Sequence, residues 1–393
     1  MKRICFFLLL TILAESSVLS QDFKYDNQFY QTISWNEFFS RLEKNPNLVF
    51  FDIRTPGERH DSSSYLSMNQ GRIEGAIETD YFDFPSAYPE YLKHKQDTIY
   101  LYCSHSRRSR LLAKQLADSA FKKVISINGG MSYLNSCSKY QIPLKARYYK
   151  TKLDYELVPP DAFIQAINND KFYLLDVRPD SVYKGISKEA WENLYGRIPG
   201  VVHIPFDKIT GRLKNIPENK IILLFDNDGE IAPKAAKILK DKGYSVRVLL
   251  FGLDNLVSYL PQIERSFLKT RYPVILPVEL LEIADNDNTV IIDVRTVAEY
   301  NNSDSIAWKN VGRIKKAVNI PLSELTKETV IGYKRKKIVL YDIMMHEELF
   351  AFAEKLESYG IADFYLLSGG ITQLKWEIYN ADKKGLEMMV EDK

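Results

Sequence analysis

Short apolar runs alternate with helical stripes along most of this chain. Leu48-Val49-Phe50-Phe51 and Tyr173-Leu174-Leu175 are continuous hydrophobic stretches that end in polar turns, the pattern of parallel strands buried on both faces. After Cys103, the residues Leu112, Ala113, Leu116, Ala117 and Ala120 fall on one helical face, and Val124-Ile125-Ser126-Ile127 reads as the next strand. Ala232 to Lys240 and Leu349 to Leu356 repeat that helix. Strand, turn, helix and strand make a βαβ unit, which predicts an α/β fold: a parallel sheet flanked by helices.

The pattern recurs with its landmarks in order. Asp52-Ile53-Arg54 returns as Asp176-Val177-Arg178 and Asp293-Val294-Arg295, and Gly71-Arg72-Ile73 returns as Gly196-Arg197-Ile198 and Gly312-Arg313-Ile314. The strand Ile99 to Tyr102, ending at Cys103, returns as Ile222 to Asp226 and Ile338 to Asp342, separated from the first Asp by 51, 50 and 49 residues. Gly129, Gly252 and Gly369 follow 26 or 27 residues later. A repeat of about 120 residues is the size of a domain, not of a solenoid unit. We therefore expect domains over 21–149, 150–267 and 268–393, with Pro159-Pro160, Pro273 and Pro277 near the junctions.

Residues 1–20 stand apart. Lys2 and Arg3 precede the apolar run Ile4 to Leu13, and small residues continue to Ser20, as in a secretory signal peptide. Ten apolar residues fall short of the roughly 20 that span a bilayer. The expectation is an exported protein, periplasmic or secreted, with no membrane segment once the leader is cut. Removing Lys2, Arg3 and Glu15 leaves 51 basic and 50 acidic residues, a balance that argues against a broad nucleic-acid surface. Three cysteines in 393 residues exclude a disulfide framework.

One stretch carries chemistry. Cys103-Ser104-His105-Ser106-Arg107-Arg108-Ser109 joins the end of a strand to the start of a helix, where unpaired backbone N–H groups and the helix dipole favour an anion. A thiol there is stabilised as thiolate, and Arg107, Arg108 and Arg110 gather positive charge beside it. A buried structural cysteine is the plainer alternative. His105 reads as a solvent-exposed loop residue that could donate a hydrogen bond. Asp226 and Asp342 replace the cysteine in the other copies, which excludes thiol chemistry there. The Asp-x-Arg triplets recur without the cysteine, so they read as structural ion pairs, and Arg72, Arg197 and Arg313 are set aside for the same reason. Asp226-Asn227-Asp228-Gly229-Glu230 lacks full calcium-ligand spacing. Met344-Met345-His346 reads as an ordinary loop, so no metal and no cofactor is expected. Cys137 is a free thiol or, alternatively, a resolving partner for Cys103.

Asp-Ile-Arg-Thr-Pro-Gly-Glu at 52–58, Gly-Arg-Ile-Glu-Gly-Ala at 71–76, Tyr-Cys-Ser-His-Ser-Arg-Arg-Ser at 102–109 and Asn-Gly-Gly-Met at 128–131 resemble the rhodanese (thiosulfate sulfurtransferase) domain. The resemblance extends through the repeat to all three copies. It implies a sulfurtransferase in which Cys103 takes a sulfane sulfur from thiosulfate or a similar small anionic donor, holds it as a persulfide, and passes it to cyanide or a thiol. Ser104, His105, Ser106, Arg107, Arg108 and Ser109 would form the substrate-binding loop, with Arg107 or Arg108 on the sulfonate. Related dual-specificity phosphatases of the Cdc25 type carry a loop one residue longer, and Ser109 stands where their arginine belongs. Ser106 replaces a glycine common in the family, which predicts a strained or altered loop. A non-enzymatic anion-binding or redox-sensing rhodanese-like protein is the alternative, and a Cdc25-like phosphatase a weaker one. The second and third copies would cover the site, stabilise the array or bind a protein partner.

Overall fold

The computed structural model describes residues 26–137, 140–306, 309–379 and 385–391; the expected leader lies outside them. It contains three five-stranded sheets, all parallel, with one strand order. In the first unit the order is Gln31–Ile33, Lys123–Ile127, Thr98–Tyr102, Val49–Asp52, Ile77–Glu78. The second runs Glu156–Val158, Ser245–Leu249, Ile221–Phe225, Phe172–Asp176, Val202–His203. The third runs Val274–Ile275, Phe364–Leu367, Lys337–Tyr341, Thr289–Asp293, Val318–Asn319. The expected α/β architecture is present in every copy.

The middle strand of each sheet is covered on both sides, which is why its sequence is apolar without alternation. In the first unit, Tyr100 and Tyr102 join Trp35, Phe38 and Phe39 on one face. Ile99 and Leu101 join Leu112, Ala113 and Leu116 on the other. Each such side chain contributes about 1.5–3 kcal/mol on full burial. The following helix, Arg107–Asp118, stops two residues short of Ala120, whose φ of 60° ends it in the left-handed region.

The repeated landmarks touch one another. Arg54 donates to Asp52 from Nε at 2.9 Å and from Nη2 at 2.7 Å, and Nη2 also reaches the Gly71 carbonyl at 2.7 Å. Arg178 links Asp176 to Gly196, and Arg295 links Asp293 to Gly312, in the same way. All six charged residues are buried. The pair thus pins the end of a strand to the glycine of the next motif. The segment so pinned is closed by the end of its own unit: Arg72–Ile73 pairs antiparallel with Tyr149–Lys150, Tyr195 bridges Thr270, and Arg313–Ile314 pairs with Val390–Glu391.

The units close into a ring. Ser136 in the first bonds Asn255 in the second at 3.0 Å, and Ser368 in the third donates to the Val257 carbonyl at 3.3 Å. Asn128 returns to the Trp376 carbonyl at 2.8 Å, and Tyr379 to Asp26 at 2.7 Å. The second and third units share one apolar core, whereas the first keeps two of its own. Among the described residues no helix is long and apolar enough to cross a membrane.

Removing one partner of a buried ion pair leaves an uncompensated charge, at a cost of about 3–5 kcal/mol. Arg178→Ala is expected to lower the unfolding free energy of its unit by that amount in urea titration, with Arg197→Ala, on a partly exposed side chain, close to wild type.

Candidate active site

The chain turns sharply after each middle strand, and the third residue past the strand-end acid or thiol bears the bend. Ser106, Gly229 and Met345 occupy this position with φ of 71°, 85° and 66°. Ser106 therefore holds a left-handed conformation that costs a non-glycine residue about 1–2 kcal/mol. The expected strain of the first loop is located at this residue. Behind each loop lies a helix that begins at a double-glycine-like turn. Met131 and Ser132 donate their N–H groups to the carbonyls of Cys103 and Ser104 at 3.0 and 2.9 Å. A Cβ on Gly130 would sit 2.4 Å from the Cys103 oxygen, so only glycine fits.

The sister loops reveal what such a turn encloses. Asp226 accepts from the backbone N–H groups of Gly229 at 2.7 Å, Ile231 at 2.5 Å and Ala232 at 2.7 Å. Asp342 accepts from Met345 and His346, each at 2.6 Å. Each carboxylate fills the anion nest of its own loop. Burial still pushes Asp226 up to about 6, against the pull of those amides. At the end of Asp226-Asn227-Asp228-Gly229-Glu230, Glu230 reaches across to accept from Leu66 and Ser67 N–H of the first unit at 3.0 Å. Among the described residues no cluster suited to a metal is found.

In the first loop Cys103 takes the place of the carboxylate. It is 1% exposed, and its Sγ lies 3.9 Å from Ser109 Oγ. Ser109 is buried beneath it, bonded to Ser126 Oγ at 2.9 Å and donating to the Ser106 carbonyl at 3.0 Å.

The arginines separate. Arg110 does not face the thiol: it is buried against Asp26 at 2.9 Å and Asn128 at 2.8 Å. Arg108 grips Glu58 with both Nη atoms, at 2.7 and 2.6 Å, and reaches Ser104 Oγ at 3.0 Å. Ser104 in turn donates to Glu58 at 2.7 Å. Arg108 and Ser104 are thus committed to a buried carboxylate and frame the loop. Arg107 and Arg108 both act on Tyr81, whose phenol is pushed up chiefly by burial and also by its neighbour Cys103.

His105 is a correction to the solvent-exposed expectation. Its ring stacks on Trp376 of the third unit, 6.2 Å between centroids and 11° between planes, and lies 6.0 Å from Phe251 of the second. Burial, reinforced by Arg108, pushes its pKa down to about 4. The side chain is held by units far away in sequence, which a loop context of polar neighbours does not disclose. It lines a cavity of about 320 Å³ where the three units meet, together with Asp228 and Met344, the residues two positions past Asp226 and Asp342. Cys137 is buried in the core on the far face of the sheet from Cys103, so it is not placed to resolve that thiol.

Glu58 is the site residue that sequence reasoning passed over. Its signal was local: Thr55-Pro56-Gly57-Glu58 is a capping box, with the Glu58 carboxylate accepting from Thr55 N–H at 2.9 Å and Thr55 Oγ1 from Glu58 N–H at 3.3 Å. The same box returns at Thr296 and Glu299, where Lys309 replaces the arginine.

Comparison with known proteins agrees with this geometry. The rhodanese-like domain family profile matches residues 34–137, 159–258 and 276–376. No curated protein matches the chain. Solved structures similar to it include a thiosulfate sulfurtransferase from Pseudomonas aeruginosa, at 17% identity over 87% of this chain and 65% of that one, TM-score 0.23. Another is reduced CoADR-RHD from Bacillus anthracis, at 28% identity over 25% of this chain and 16% of that one, TM-score 0.22. A rhodanese-like domain protein from Staphylococcus aureus matches at 20% identity over 26% of this chain and 90% of its own, TM-score 0.22. The chain spans less than two thirds of the first two proteins.

Two outcomes follow from the loop. Glu58 is held down to about 2 by Arg108 and Ser104 in spite of its burial. A depressed carboxylate stabilises the fold above its unfolded pKa and loses that contribution as the pH falls through the folded one. Wild type should therefore lose roughly 3 kcal/mol between about pH 4.5 and pH 2, a loss absent from the denaturation profile of Glu58→Ala, which starts destabilised. Ser106→Gly should raise the unfolding free energy by about 1 kcal/mol by relieving the left-handed residue.

Proposed function

The chain belongs to the rhodanese-like domain family, and from that premise we propose that its first unit is a sulfurtransferase working through a persulfide on Cys103. The observation that carries this reading is the pair of aspartates in the sister loops. Counting from Cβ, an aspartate places Oδ second, and a cysteine persulfide places its terminal sulfur second. Asp226 and Asp342 receive backbone N–H groups on those oxygens. A persulfide anion on Cys103 would meet the amides of the corresponding loop positions, Ser106 to Ser109, in the same way. Preorganised amides of this kind stabilise developing charge without reorganisation.

The steps balance. The Cys103 thiolate attacks the outer sulfur of thiosulfate, the S–S bond of the donor breaks, and sulfite leaves with the electron pair. Cyanide or an acceptor thiolate then attacks the terminal sulfur and regenerates the Cys103 thiolate. Arg107 or Arg108 would hold the sulfonate, whereas Arg110 is turned to Asp26. His105, neutral through its depressed pKa, cannot serve as a fixed cation. Asp226 and Asp342 have no sulfur to carry, so the second and third units support the first. The Lys2-to-Ser20 segment supports an exported location for this reaction.

Incubation of the reduced protein with thiosulfate should yield a species heavier by one sulfur atom, mapped to Cys103 by peptide mass spectrometry. Cys103→Ser should show neither adduct nor thiosulfate-to-cyanide turnover, although Cys137 remains. Arg107→Ala should raise KM for thiosulfate by about tenfold or more, the value of a charge-assisted hydrogen bond, with a smaller effect on kcat. A wild-type protein that gains no sulfur from thiosulfate or from another sulfane donor would overturn the reading.

A further inference from the structure

The cavity at the junction of the three units has walls that no step of sulfur transfer uses. Trp191, Phe251 and Trp376 supply aromatic surface, and Asp228 and Asp254 supply two carboxylates. Among the described residues no lysine or arginine lines it. His105 also lines it, but as a neutral ring, its pKa being near 4. Asp254 is pushed up to about 7 by burial, with Asp228 and Asp226 adding to the shift against the hydrogen bond from Tyr195. Burial likewise raises Asp228. Two half-buried acids on a wall without a lysine or arginine leave room for a cation.

Two further side chains are left incomplete at this cavity. Asn255, 2% exposed, has one end of its amide held by Ser136 at 3.0 Å, while the other end, Nδ2, meets no hydrogen-bond partner among the described residues. Thr372, also 2% exposed, has no partner for Oγ1 among them. Both residues line the cavity, one from the second unit and one from the third. Orphaned buried polar atoms cost about 1–3 kcal/mol each, and a polar ligand group would satisfy them.

We propose that the junction cavity binds a small organic ammonium ion bearing a hydroxyl or carboxyl group. The cationic end lies toward Asp228 and Asp254 and against the aromatic walls, where cation–π attraction adds to the ion pairing. The oxygen-bearing end meets Asn255 and Thr372. The volume of about 320 Å³ has room for a ligand of choline size. The site is separate from the thiol, because Cys103 does not line the cavity. It is built only when the ring is closed, since each of the three units contributes wall.

Choline, tetramethylammonium and the neutral choline isostere 3,3-dimethyl-1-butanol are the probes, titrated into the full chain by calorimetry and by the fluorescence of Trp191 and Trp376. Choline should bind saturably with a Kd in the millimolar range or tighter, and the neutral alcohol at least tenfold more weakly. Asp228→Asn and Asp254→Asn should each weaken choline about tenfold, with circular dichroism showing the fold retained. Thr372→Val, which keeps the shape of the side chain, should abolish the advantage of choline over tetramethylammonium. Absence of saturable binding by both cations, equal binding of the neutral alcohol, or folded Asn variants that bind as wild type would each overturn the proposal. None of these readouts involves sulfur transfer, so a failed persulfide assay leaves the outcome intact.

Discussion

Backbone N–H groups gathered at the end of a buried strand need an acceptor, and in this protein each middle strand must find one within its own turn. The turns after Phe225 and Tyr341 answer with a carboxylate, Asp226 or Asp342, which receives two or three amides. In the turn after Tyr102, Cys103 stands at that position. The rest of the loop follows from this requirement. A left-handed residue must stand three positions on, whether it is Gly229, Met345 or the strained Ser106. A glycine must open the helix behind it, since Gly130, Gly252 and Gly370 all approach loop carbonyls too closely for a side chain. The two aspartate copies therefore keep the same geometry for a physical reason.

Charge is handled in pairs throughout. The three Asp–Arg pairs are buried and tie a strand end to a neighbouring backbone carbonyl. The Glu58–Arg108 pair does the same for the active loop, from which it draws Ser104 as a third member. Desolvation makes each lone charge expensive and each complete pair tolerable, so these contacts specify arrangement more than they add stability. The junction cavity departs from the pattern, with acids facing acids.

Repetition and ring closure are linked. A unit that ends by pairing with its own Gly-Arg-Ile segment folds back on itself, leaving the helix after the glycine turn to meet the next unit. The helices Gly130–Ser136, Gly252–Tyr259 and Gly370–Glu377 all border the central cavity. The side chain two residues into each loop, His105, Asp228 or Met344, enters the same space.

The sequence by itself determined the repeated α/β unit, the position of Cys103 at a strand end, and the absence of a nucleophile from two copies. These are local facts: apolar runs, spacing and residue identity carry them, because strand and helix formation depend on near neighbours. The pairing of Asp52 with Arg54 was legible too, for the two stand only two residues apart where the strand ends. The sequence did not disclose that Arg108 and Arg110 are spent on Glu58 and Asp26, 50 and 84 residues away. Nor did it disclose that His105 lies between Phe251 and Trp376. Only the tertiary structure decided these, since charge neutralisation and burial belong to whatever the fold brings within a few ångströms, and the units that bury His105 follow it by more than a hundred residues.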